Sequence, residues 1–277
     1  MLKVVTPEQA GWRFSGLRIL ELEPGCSHSC DAGADEFIVL PLSGSCTVAC
    51  EGESVTLSGR DSVFTQITDF FYVPRDTYAE IFSIAGGRFA LPSARAQRRL
   101  APCYVPAADV PIELRGAGRA SRQVNNFCSP EAFAADRLIA VEVLTPDGNW
   151  SSYPPHKHDQ YVEGQETALE EIYYFEVADG PDGPGFGYQR AYASASDHPI
   201  DVCVEVRTGD VLLVPYGYHG PSMAAPGYPL YYLNVMAGPD EERAWRFRDD
   251  PAHAWIRNTW SGQQIDSRLP MTAARKD

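Results

Sequence analysis

Apolar and polar residues alternate in short runs along most of the chain. Leu17–Leu22 is the first such run, followed by Glu36–Leu42, Cys46–Cys50, Ser54–Leu57, Phe71–Pro74 and Ala79–Ile84. After residues 92–121 the pattern resumes in Leu138–Leu144, Glu171–Val177, Phe186–Tyr192, Val202–Arg207, Asp210–Pro215 and Leu230–Met236. Period-two runs of this length, punctuated by Gly, Pro and Asp, predict β-strands of a sandwich or barrel rather than a βαβ sheet. Ser43-Gly44 reads as a turn between two strands. Only residues 241–257 read as helical, with Asp250-Pro251 resembling an N-cap followed by Pro at the first helical position.

The two strand-rich halves resemble each other. Glu36–Leu40 stands beside Glu171–Phe175, and Tyr72–Tyr78 beside Leu213–His219. A Gly-Asp-type turn, Gly59–Asp61 or Gly209-Asp210, precedes each Pro-ended strand. The chain therefore reads as two copies of one β-barrel unit. The boundaries expected are 1–100 for the first barrel, 101–135 for a connecting segment, 136–260 for the second barrel and 261–277 for a tail. Tyr78 stands where the second copy has His219, and the first copy has no His-X-His, so chemistry is expected in the second.

That chemistry centres on His156-Lys157-His158, which holds two of the six histidines. Residues i and i+2 of a strand share a face, so two imidazoles can meet one metal ion. Glu171 opens the next strand. His219 follows Pro215-Tyr216-Gly217-Tyr218. Three imidazoles and a carboxylate converging inside a barrel suit Zn, Mn, Fe, Co or Ni. Cys26-Ser27-His28-Ser29-Cys30 offers a second, weaker set of ligand types, without a matching pair elsewhere.

Bulk composition narrows the partners. Of 277 residues 44% are hydrophobic and 22% charged, as in a soluble globular protein, and the net charge of −14 disfavours nucleic acid and anionic membrane as partners. No apolar run reaches the ~20 residues of a membrane span. The N-terminus lacks a signal-peptide core, which makes the cytoplasm the expected location. Seven cysteines in a chain of this size do not form a disulfide framework. Exposed barrel edges favour a homo-oligomer.

Several stretches together resemble one family. Gly148–Asp159, Leu169–Tyr174, Gly185–Tyr192, Gly217–His219 and Tyr231–Pro239 are similar to the 5-deoxy-glucuronate isomerases of inositol catabolism, within the cupin superfamily. Arg115–Val124 and Asp249–Ile256 fit as well. The resemblance implies an all-β bicupin, two jelly-roll barrels with a short C-terminal helix. It implies a divalent metal, zinc first and manganese or iron as alternatives, on His156, His158, Glu171 and His219. Glu171 is preferred to Glu170 because it directly precedes Ile172-Tyr173-Tyr174. Tyr216, and Gly220 where Pro is usual, depart from the pattern at the pocket rim.

The implied reaction is an aldose–ketose isomerisation of 5-deoxy-D-glucuronate, a small anionic sugar acid. Arg190 and then Arg122 are candidates to hold the carboxylate, Asn234 to line the pocket and Tyr173 to act as donor or proton relay. Lys157 is expected to face away from the ligands, and His253 to pack the terminal helix. An iron-dependent cupin oxygenase and a non-catalytic sugar-acid-binding cupin remain alternatives on the same residues.

Overall fold

The computed structural model describes residues 1–275. It is built almost wholly of antiparallel strands. A nine-stranded sheet spans Lys3–Val105 and curls on itself through a 16-residue strand, Asp35–Cys50. Two six-stranded sheets form the second barrel. One runs in the order Ile112–Arg115, Arg122–Cys128, Ile139–Thr145, Leu230–Ala237, Glu170–Val177, Val211–Val214. The other joins Asp201–Val206, Gly187–Tyr192, Tyr218–Ala224, His156–Lys157 and Arg248–Asp249. The all-β, two-barrel architecture expected from the alternation is the one present.

Alternation sorts side chains between three apolar cores. Phe37, Val39, Val48, Phe71 and Phe89 fill the first barrel. Val141, Tyr173, Phe175 and Tyr232 fill the second. The opposite faces of the same strands meet between the barrels, where Ile38, Leu40 and Tyr72 pack with Ile172, Tyr174 and Leu233. Each such side chain fully withdrawn from water contributes roughly 1.5–3 kcal/mol. The interface is therefore as apolar as either interior, and the barrels pack as one body.

Two polar devices sit in that interface, and they are mirror images. Glu36 accepts hydrogen bonds from the backbone N–H groups of Asp136, Arg137 and Leu138 at 2.9, 2.6 and 2.7 Å, and from Tyr72 Oη at 2.5 Å. Glu170 accepts from the backbone N–H groups of Arg13, Phe14 and Ser15 at 2.7, 2.8 and 2.9 Å. Each glutamate thus grips the chain where it enters a long strand of the other barrel, Ile139–Thr145 or Ser15–Leu22. Strand register makes them equivalents: Phe37 pairs with Val73 as Glu171 pairs with Val214, which sets Glu36 against Glu170. The sequence pairing of Glu36 with Glu171 is corrected by one residue. Phe37 occupies the metal-site position in the first barrel, and Tyr78 there is 59% exposed, so that barrel retains no part of the constellation.

Three other expectations change. Ser43-Gly44 is not a chain reversal. The strand continues through it with a register shift, and Gly44, at φ +84°, lies where a Cβ would meet Gly86 O at 2.5 Å. Residues 101–135 are more than a connection, because Cys103–Val105 pairs with the first barrel and Ile112–Arg115 and Arg122–Cys128 extend the second. Residues 241–253 form an irregular strap, not a helix. Arg248-Asp249 pairs with His156-Lys157, and the helical segment is a 3₁₀ run over Ala254–Gly262. Asp250 does open that turn: its carboxylate accepts the Ala252 N–H and its carbonyl those of His253 and Ala254.

Candidate metal centre and substrate cavity

His156 and His219 face each other across paired strands, and His158 lies two residues further along. All three rings are buried, and their nitrogens come within 4.8 Å of one another. Every Nδ1 is turned to a carbonyl oxygen: His156 to Pro154 at 3.2 Å, His158 to Leu169 at 3.3 Å, His219 to Gly217 at 3.3 Å. Such outer bonds set the tautomer, so a neutral ring presents its Nε2 lone pair to the shared point. Gly217, at φ +89°, permits the turn that delivers His219, and a Cβ there would strike Tyr192 O at 2.6 Å.

Glu171 closes the group. Its Oε2 lies 3.2 Å from His158 Nε2 and 2.9 Å from His219 Nε2. Among the described residues, His219 Nε2 nonetheless has no hydrogen-bond partner. Burial, together with neighbouring His219 and His158, holds His156 well below its usual range and neutral. Burial pulls His158 the same way, but the bond to Glu171 and its charge reverse the shift. Burial would raise Glu171, yet the neighbouring His219 and His158 rings hold it below the ordinary carboxylate range. A buried carboxylate ringed by imidazole lone pairs, with one nitrogen left unpartnered, fits a divalent cation. Among the described residues Cys26–Cys30 forms no such group; Cys26 is exposed and Cys30 buried.

Lys157 points the other way, as alternation requires. Its Nζ donates to Asp159 at 2.5 Å and to Glu166 at 2.7 Å. Asp159 in turn accepts the Gly217 N–H at 2.8 Å. The lysine therefore ties the strand carrying His156 and His158 to the turn carrying His219.

Above the four donors lies a narrow cavity, with about 20 Å³ of free space, lined by Arg115, Arg122 and Arg257, by Tyr173, Asn234 and Ser152, and by Trp245 and Phe247. Arg115 is held by Glu113 at 2.7 Å and Arg257 by Asp249 at 2.8 Å. Arg122 is bonded only to carbonyls, those of Ala120 and Tyr153. Burial lowers it to about 10, which leaves it charged at neutral pH. Tyr173 Oη lies 3.1 Å from Ser152 Oγ. Burial and the Glu171 charge push its pKa up, so it keeps its proton. Among the described residues, Asn234 Nδ2 and Trp245 Nε1 are buried donors without partners. A larger cavity, about 780 Å³, opens to solvent along the first barrel between Ser58 and Ala108 and shares no lining residue with the first.

Arg190 is elsewhere. Gly187, Gln189 and Ala191 face inward on its strand, so Tyr188, Arg190 and Tyr192 face out. Arg190 donates to Asp201 at 2.5 Å and lines an outer groove with Trp150, Tyr192 and His253. Sharing a face with two tyrosines placed it correctly on the strand but on the wrong side of the barrel. We expect Arg190→Ala to leave the Michaelis constant for an acid substrate within about twofold of wild type, as for a surface change; steady-state kinetics checks this. Trp245, Phe247 and Arg257 were not picked out from sequence. The quoted motif stops at Ile256, one residue short of Arg257, and the strap has no periodicity to show which side faces in.

The model of the KduI/IolB family matches residues 1–256. The 5-deoxy-glucuronate isomerase of Geobacillus thermodenitrificans is 41% identical over 91% of this chain and 89% of its own length. That of Bacillus subtilis strain 168 is 38% identical, with 91% of each covered. An IolB-like protein from Salmonella typhimurium LT2 superposes with a TM-score of 0.85 at 36% identity, over 92% of this chain and 94% of that one. Oxalate decarboxylase from Lactobacillus farciminis, 13% identical over 89% of this chain and 82% of that one, shares the two-barrel fold with a TM-score of 0.63. With that family match and those relatives over nine-tenths of its length, the chain belongs to the KduI/IolB family.

Proposed function

We propose that the chain is a metal-dependent aldose–ketose isomerase that converts 5-deoxy-D-glucuronate to 5-dehydro-2-deoxy-D-gluconate in inositol catabolism. The observation that carries this reading is the donor balance of the cavity. It presents three guanidinium groups and the unpartnered donors Asn234 Nδ2 and Trp245 Nε1, against Glu171 as the one carboxylate among its lining residues. Such a cavity suits a ligand rich in acceptor oxygens and anionic at one end. The relatives named as 5-deoxy-glucuronate isomerases support the same substrate.

The reaction moves one hydrogen from C2 to C1 and one hydroxyl proton from O2 to O1, with no change in composition. His156, His158, Glu171 and His219 would hold the metal, which supplies a Lewis acid for the substrate's carbonyl and hydroxyl oxygens. Tyr173 keeps its proton and donates a hydrogen bond into the cavity, steadied by Ser152. Asn234 lies opposite Tyr173 on the paired strand and offers a second donor. Arg122, whose charge has no carboxylate partner, takes the substrate carboxylate four carbons from the reacting pair. Trp245 and Phe247 cover the cavity from the strap and keep water out.

Arg122→Ala tests the carboxylate assignment. A charge-assisted hydrogen bond contributes about 1.5–3 kcal/mol, so the Michaelis constant should rise roughly 10- to 100-fold. Turnover at saturation should change far less, because this interaction is made before and during the chemical step alike. An unchanged Michaelis constant contradicts the assignment.

A further inference from the structure

We infer that Glu170 is a positioning residue through which the first barrel holds the metal centre of the second. The inference rests on reading His156, His158, Glu171 and His219 as metal ligands. Three consecutive residues divide the work. Leu169 exchanges two bonds with His158, giving its N–H to the His158 carbonyl at 2.8 Å and taking the His158 Nδ1–H on its own. Glu171 turns inward to the imidazoles. Glu170, between them, points outward and is gripped by the Arg13, Phe14 and Ser15 backbone, while its carbonyl accepts the Ser15 hydroxyl at 3.1 Å.

The strand begins at Glu170, and residues 159–169 before it form an irregular loop. Without the grip, the point where Glu171 enters the site and Leu169 orients His158 would be held only by pairing at the end of its own sheet, Glu170 with Ala237 and Glu171 with Met236 and Val214. Four bonds from the other barrel fix it. Two of the four ligands are thereby oriented by chain that lies more than 150 residues away in sequence. The barrel that lacks a metal site is, on this account, part of the metal site's support.

Glu36 provides an internal control, because it makes the same grip in the opposite direction and touches no ligand. The experiment measures zinc and manganese affinity by chelator competition, with the thermal midpoint, for full-length wild type, Glu170→Gln and Glu36→Gln. Both variants should melt at lower temperature. Only Glu170→Gln should bind metal more weakly, by roughly 10- to 100-fold, as when an outer partner of a ligand is lost. If Glu170→Gln fails to fold, Ser15→Ala replaces it, since it removes one bond of the grip from the first barrel alone; a weaker loss in the same direction is expected. Wild-type affinity in the folded Glu170 or Ser15 variant overturns the inference, as does an equal loss in Glu36→Gln. A wild type that binds neither metal overturns the ligand reading itself.

Discussion

His158→Ala should abolish metal binding and isomerase turnover together. The ring is 2% exposed, its Nδ1 is committed to Leu169 O, and its Nε2 faces Glu171 at 3.2 Å. Removing it leaves three donors and a hole, and it leaves the Glu171 carboxylate short of one neighbour. Lewis-acid stabilisation is worth several kcal/mol, so turnover should drop at least about a thousandfold. Metal analysis of the purified variant should find substoichiometric metal under conditions that saturate wild type. Full metal content with full turnover would remove His158 from the site.

The second large effect is on stability. Glu36→Ala withdraws the acceptor of three backbone N–H groups and of Tyr72 Oη in the interface between the barrels. A buried donor left unsatisfied costs about 1–3 kcal/mol. The groups relax together and the costs do not add in full, so a loss of roughly 3–5 kcal/mol is expected, at the upper end for single substitutions. Chemical denaturation of metal-loaded protein checks it. A change under 1 kcal/mol would mean that the apolar contacts alone hold the barrels together.

The strands were legible because one face of each is apolar and the period of two is unbroken. The metal group was legible because three of its members lie in two short, stereotyped segments, His156–His158 and Gly217–His219. What stayed hidden depended on contacts between segments distant in sequence. The place of Glu171 before Ile172-Tyr173-Tyr174 separates it from Glu170, but the role of Glu170 depends on which face of the strand meets the other barrel. Arg190 and Arg122 look alike in sequence, yet inward Gln189 and Ala191 turn Arg190 outward, and Arg122 is buried at the start of an inner strand of the other sheet. Residues 241–257 read as helical, with Asp250-Pro251 resembling an N-cap and a Pro at the first helical position. Pairing of Arg248-Asp249 with the histidine strand holds the strap over residues 241–253 extended instead.

On this reading the cavity isomerises 5-deoxy-glucuronate on a metal held by the second barrel. The most direct measurement is NMR of metal-loaded protein mixed with 5-deoxy-glucuronate under anaerobic conditions. The signals of the aldehyde and its hydrate should give way to those of the ketose, without oxygen, and a chelator should stop the conversion. No ketose from protein that has taken up metal, or conversion that requires oxygen, would contradict the account.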